Sequence, residues 1–210
     1  MPRAILTATI EYYLAYKVFK HGKTFPRVIA LMLFFLASYQ MGEVIMFATD
    51  GASIGFRIAY FSTTLLPALG LELIEKVTGK PHYYLPFQII GIVFALIFLI
   101  QPGIIAGYEH QTCCFIATSY TNLGNIWGLY YQGALIFSMI AIVINLFMKY
   151  KREVKTNLSY LLLAYIVIES GIFVARYIPE FNMSTASVMC ALALVAALIF
   201  ARLGLRKKQV

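Results

Sequence analysis

The sequence predicts an all-α, polytopic membrane protein: a seven-transmembrane-helix bundle with its N-terminus external and its C-terminus cytoplasmic. Three observations carry this expectation. The chain is 61% hydrophobic and only 12% charged, whereas a soluble domain is about 25% charged. Apolar runs recur along its 210 residues, each long enough as a helix to approach the roughly 30 Å of a bilayer's hydrocarbon core. All but three of the 17 basic residues, Arg3, Arg57 and Arg176, cluster in turns on one side of that arrangement.

The predicted spans are 4–20, 27–48, 54–76, 84–105, 126–148, 157–178 and 183–203, making residues 1–210 one transmembrane domain. The first is short and carries Glu11 and Lys17. Those residues, with several tyrosines, also argue against a cleaved signal peptide. Gly22, Lys23 and Pro26 separate it from the second span, and Asp50-Gly51 reads as a tight external turn. The third span, RIAYFSTTLLPALGLELIEK from Arg57 to Lys76, has Pro67 at its centre and closes at Thr78-Gly79-Lys80-Pro81, where proline removes a donor and glycine relieves the backbone. Ser184 or Thr185 caps the last span.

Charge fixes orientation. Lys17, Lys20, Lys23 and Arg27 surround the first turn, Lys76 and Lys80 the third, Lys149, Lys151, Arg152 and Lys155 the fifth, and Arg202, Arg206, Lys207 and Lys208 end the chain. Under the positive-inside rule these mark the cytoplasmic face. The net charge of +8 is therefore assigned to anionic headgroups rather than to nucleic acid. The expected location is the plasma membrane.

The external loop 101–125 is the one long connection and expected to be functional. It contains Glu109, His110 and the adjacent Cys113 and Cys114, and its apolar Cys-Cys-Phe-Ile segment is expected to fold back as a lid or short hairpin. The cysteines form a local disulfide, stay as thiols or bind a metal; the spacing does not decide between these, and no metal site or cofactor is assigned.

Charges within lipid are costly and face an interior, a cavity or a partner. The candidate ligand-binding residues are Glu43, Arg57, Glu169 and Arg176 with Tyr39, Tyr130, Glu109 and His110, imagined as acids and arginines pairing in an external-facing polar pocket. Glu169, Phe173 and Arg176 share one helix face. Glu11, Pro67 and Glu72 are read as structural or coupling residues, Glu72 either snorkelling or pairing with Lys76 or Lys80. Pairs that only fix helix packing are the alternative for the whole set. An internal echo relates Tyr39, Glu43 and Phe47 to Tyr165, Glu169 and Phe173 at the same spacing, as a parallel duplication would.

Enzyme chemistry is poorly supported. His21, His82 and His110 are divided between the two sides, and HExxH, GxSxG and glycine-rich phosphate loops are absent. The last span has no lysine for a retinal Schiff base. Intramembrane acids could still hydrolyse a lipid, and Pro67 with Gly91, Gly133 and Ala191 would suit a small-solute or lipid transporter.

The segment RIAYFSTTLLPALGLELIEKVTGK, Arg57 to Lys80, resembles the third span of the seven-helix amino-terminal sensory region of some bacterial histidine kinases, with its leucine-proline centre and short basic turn. The similarity extends loosely through the first five spans. It implies a receptor-like sensor that binds a small or amphipathic ligand from outside and passes helix movement to a cytoplasmic signalling partner, alone or as a homo-oligomer. After Arg202 only a few basic residues follow and this sequence contains no kinase domain, so either the chain signals through a partner or its output domain lies outside this sequence.

Overall fold

The computed structural model describes residues 2–49, 53–80, 85–100, 105–111, 114–177 and 185–206, with side chains placed throughout these ranges except at 2–3, 105–111, 114–120, 172–177 and 185–190. In chain order these residues form α1 (Pro2–His21), α2 (Pro26–Ala48), α3 (Ser53–Thr78), α4 (Leu85–Ile100), β1 (Ile105–Gln111), β2 (Cys114–Tyr120), α5 (Asn122–Phe147), α6 (Arg152–Tyr177) and α7 (Thr185–Leu205). The all-α bundle is therefore present, with one small hairpin added.

The count of seven membrane spans is not upheld. Among the described residues three helices, α2, α3 and α5, are long and apolar enough to cross a membrane. The reason differs for each of the others. In α1, Glu11, Lys17 and Lys20 dilute the apolar run. Helix α4 is strongly apolar but has 16 residues, about 24 Å of rise. Helix α6 begins with Arg152, Glu153 and Lys155 and carries Glu169, and the apolar helix counted at the end of the chain runs only from Ala191 to Leu205. Three apolar spans still make this an integral, multi-pass membrane protein.

Helix α3 organises the packing, lying against α2, α4, α5 and α6, while α7 closes on α1, α2 and α6. Small residues make the tightest crossing. At Gly42 of α2, an added Cβ would lie 2.7 Å from the Ala59 amide nitrogen and 2.8 Å from the Gly55 carbonyl of α3. Gly55 and Ala59 are four apart on α3, so the two backbones meet over a small-xxx-small face. Gly91 is also a contact point, set against the Tyr130 hydroxyl, but Gly133 faces open space.

One pole of the bundle is basic and densely packed. Ile29 and Leu33 of α2, Leu71 and Ile74 of α3, Leu158 and Leu161 of α6 and Leu203 of α7 are fully buried there with Val18 of α1. Helix α2 starts at Pro26, a position whose missing N–H costs nothing in a first turn. Phe25 before it adopts a left-handed conformation, φ 47°. The amides of Lys23 and Thr24 donate to the Gly204 carbonyl at 3.0 and 3.2 Å, and Thr24 Oγ1 donates to the Arg206 carbonyl at 3.1 Å. The turn between α1 and α2 thereby caps the open carbonyls at the end of α7. As expected, Gly79 ends α3 with φ 67°, its amide donating to the Glu75 carbonyl at 2.8 Å.

At the opposite pole, β1 and β2 pair antiparallel from Ile105↔Tyr120 to Gln111↔Cys114, with irregularities flanking Gly107. Strand β2 rests on α2 and α5, so the long loop does contain a hairpin laid against the bundle. Thr121 follows it and caps α5, its Oγ1 accepting from the Gly124 amide at 3.3 Å.

Candidate functional site: an aromatic cavity

Above the dense core the five helices α2, α3, α5, α6 and α7 diverge around a cavity of about 230 Å³. The aliphatic part of its wall comes from Met32, Leu36, Leu66, Leu135 and Ile168, and its aromatic part from Tyr39, Tyr60, Trp127, Tyr131, Tyr165 and Phe200. Aromatic side chains at helical spacing were legible in the sequence, but their convergence was not, because it depends on which faces α3 and α5 turn to each other.

The aromatic wall is fixed by stacking and by one bond. Tyr60 of α3 stacks on Phe98 of α4 at 5.2 Å and meets Trp127 edge-on at 5.2 Å, and Trp127 packs on Tyr131 at 5.4 Å. Such pairs add about 0.5–1.5 kcal/mol each beyond area burial. Trp127 Nε1 donates to Thr64 Oγ1 at 2.9 Å, and Thr64 Oγ1 in turn donates to the Tyr60 carbonyl at 2.6 Å. The indole is thus held at the cavity edge in one orientation.

Pro67 lies just below, buried in α3. It offers no N–H to the Thr63 carbonyl one turn earlier, and the adjacent Thr64 carbonyl accepts from the Tyr130 hydroxyl at 3.4 Å. One turn further on, the Tyr165 hydroxyl from α6 occupies the space where Gly70 lacks a Cβ, with Ser138 of α5 beside it. Helices α5 and α6 therefore grip α3 at its proline and at the glycine after it.

The residues singled out from the sequence are distributed around this cavity rather than gathered into one polar pocket. Tyr39 lines the cavity and its hydroxyl donates to Glu43 Oε1 at 2.6 Å. Arg57 reaches across to α4, Nη1 donating to the Leu99 carbonyl at 3.2 Å, where it caps one of that helix's open carbonyls. Glu169 accepts from Gln132 Nε2 at 3.2 and 3.0 Å through its two oxygens, linking α6 to α5. Tyr130 belongs to the cluster of Phe94, Phe98 and Ala134 beside the cavity. Glu72 pairs with Lys76 at 3.3 Å, one of the two partners considered for it. Asp50, Gly51, Pro81, His82, Cys113 and Ser184 lie outside the described residues, as do the side chains of Glu109, His110, Cys114, Phe173 and Arg176.

Among the described residues Glu11 is the most buried acid. It is 0% exposed, as is Gln40 of α2, whose Nε2 donates to Glu11 Oε1 at 2.9 Å. Thr7 donates to Gln40 Oε1. Glu11 Oε2 has no hydrogen-bond partner among the described residues. Gln40 also lines the cavity, so this α1–α2 staple touches the site through its amide. Nothing in residue spacing shows which face of α1 meets α2, so this pairing of Gln40 with Glu11 is not legible in the sequence.

Among the described residues no group of three or more His, Cys, Asp or Glu side chains could hold a metal ion. The cavity wall offers dispersion, ring faces and a few hydroxyl and amide groups, the composition of a site for a small, weakly polar molecule. Comparison with protein-family models, curated proteins and solved structures finds no match. Fold and composition together define the class: an integral, multi-pass helical membrane protein.

Proposed function

We propose that this protein is a receptor-like membrane sensor whose ligand is a small, mostly apolar molecule held in the aromatic cavity. The observation that carries the reading is the cavity itself, about 230 Å³ inside the helix bundle with six ring-bearing side chains on its wall. A dry apolar cavity of about 150 Å³ accommodates benzene, so a substituted single ring or a short branched chain matches this volume. The few polar wall groups, Gln40, Thr63 and the tyrosine hydroxyls, favour an amphipathic ligand with one hydrogen-bonding group. Entry is proposed from the pole where the hairpin lies, taken as the external side of the plasma membrane.

Coupling is assigned to α3. Ligand contact at Thr63 and Leu66 lies within one turn of Pro67, and the residues past Gly70 run directly into the packed basic pole. A ligand with different affinity for two settings of that segment would shift their populations, and a partner at the basic pole would read the shift. The resemblance of Arg57–Lys80 to sensory regions of histidine kinases supports the same direction of signalling.

Trp127 is the only tryptophan in the chain and lines the cavity, which supplies the test. Titration of the purified protein with 4-bromophenol, a benzene-sized heavy-atom quencher, is expected to quench its emission saturably, and Ala193→Phe, which fills the cavity, to abolish saturation. Linear quenching identical in both proteins would refute the site. Sensing predicts saturable binding without solute counterflow in liposomes and without lipid turnover; counterflow would identify a transporter, and turnover lost on neutralising Glu43 or Glu169 a hydrolase.

A further inference from the structure

A second concave site lies on the outer face of the bundle, in the seam between α1 and α2. Tyr12, Ala15, Tyr16 and Phe19 form one wall and Arg27, Ala30, Leu31 and Phe34 the other, enclosing about 430 Å³. Ala15 and Ala30 are buried and make a narrow floor, whereas Tyr16 and Phe19 remain 60% and 66% exposed as rims. From Arg27 to Phe34 the groove follows two helical turns, about 10 Å. That is the shape of a slot for one acyl chain.

Its charge is confined to one end. Arg27 lines the groove at the basic pole, and Lys20 is held on the opposite rim, its Nζ donating to the Tyr16 hydroxyl at 3.3 Å and lying 5.7 Å from that ring's centroid. Lys23 follows in the intervening turn. Among the described residues none of these three cations has a carboxylate partner. Unneutralised cations at one end of a greasy slot, on a protein whose described residues include three helices long and apolar enough to cross a membrane, are complementary to a molecule with an anionic head and a hydrocarbon tail.

We infer that the α1–α2 seam is a specific site for one anionic phospholipid, its phosphate held by Arg27 and Lys20 and the upper part of an acyl chain lying along Ala15, Ala30 and Phe34. Basic pockets between membrane helices bind anionic headgroups in this way. The site is separate from the aromatic cavity and does not depend on what occupies it.

The test is native mass spectrometry of the full chain, released from mixed micelles containing equal phosphatidylglycerol and phosphatidylcholine. One retained phosphatidylglycerol per chain is expected, preferred about fivefold over phosphatidylcholine, the worth of one arginine near an anionic surface. Arg27→Gln should erase the preference, and Tyr16→Ala, which removes a rim, should lower retention of both lipids. Lys80→Gln, a cation elsewhere on the same pole, should leave the preference unchanged. Equal retention of the two lipids by the wild type, an unchanged preference in Arg27→Gln, or displacement by millimolar inorganic phosphate would overturn the inference. A lipid-free dimer lost in Tyr16→Ala would overturn it in favour of a second copy of the chain.

Discussion

Replacing Gly42 by alanine adds one methyl group at the crossing of α2 and α3, and its cost follows from the geometry. The new Cβ would lie 2.7 Å from the Ala59 nitrogen, 2.8 Å from the Gly55 carbonyl oxygen and 2.9 Å from the Ala59 Cβ. Two of these three atoms are backbone, so no rotamer change relieves the contact and the helices must separate. Overpacking of this kind costs about 1–3 kcal/mol. Alanine also gains up to about 1 kcal/mol over glycine in helix propensity, which would obscure the clash in a lone measurement. Gly133→Ala supplies the reference, because an added Cβ there meets nothing within 4 Å and keeps only the propensity gain. The difference between the two variants isolates the clash at about 1–3 kcal/mol, or about 2–12 °C in melting temperature for a chain of this size. Thermal unfolding in one detergent, followed by Trp127 emission, measures it. Equal melting temperatures for the two variants would mean that α2 and α3 do not approach as closely as described.

Three further outcomes are expected. Gln40→Leu removes the amide that donates to Glu11, leaving that buried carboxylate without its hydrogen-bond donor at a cost of about 1–3 kcal/mol; adding Glu11→Leu should recover most of that loss, and a further drop in melting temperature would contradict it. Trp127→Phe forfeits the bond to Thr64, about 1 kcal/mol, and should weaken 4-bromophenol binding in a competition assay by several-fold; unchanged affinity would remove the indole from the site. Thr24→Val deletes the bond to the Arg206 carbonyl and should destabilise the protein by about 1 kcal/mol, visible as faster amide exchange at the end of α7, whereas unchanged exchange there would show that the turn does not seal that helix.

Hydropathy located the helices well where a helix is apolar from end to end. The expected 27–48 and 54–76 compare with Pro26–Ala48 and Ser53–Thr78. It failed where helix and apolar run are not the same object. Helix α6 begins at Arg152 rather than 157 because Arg152-Glu153-Val154-Lys155 winds as a polar first turn and more, and α5 begins at Asn122 because Thr121 caps it ahead of the apolar stretch. The fourth expected span overran its helix, since Ile105 belongs to a strand. Counting every such run as a membrane crossing gives seven, whereas three helices among the described residues meet the requirement.

The site was legible only residue by residue. Acids within apolar runs are visible in any sequence, and the expectation that they pair with arginines follows from charge alone. In the structure Glu11 and Glu169 are both met by a glutamine amide, from Gln40 and Gln132, an arrangement that charge counting does not reach. The wall of the cavity depends on helix rotation, and the close approach that sets rotation rests on Gly42, Gly55 and Gly70. Glycines read as generic helix breakers until their neighbours are known.

The seal between Gly204 and the amides of Lys23 and Thr24 joins residues about 180 positions apart in the chain. During synthesis the α1–α2 pair must wait, with two open donors and the Val18 side of α1 bare, until the chain has emerged as far as Gly204. Helix α7 therefore acts as a keystone, and a nascent chain halted before Gly204 would present an unfinished α1–α2 pair to the proteases that police the membrane.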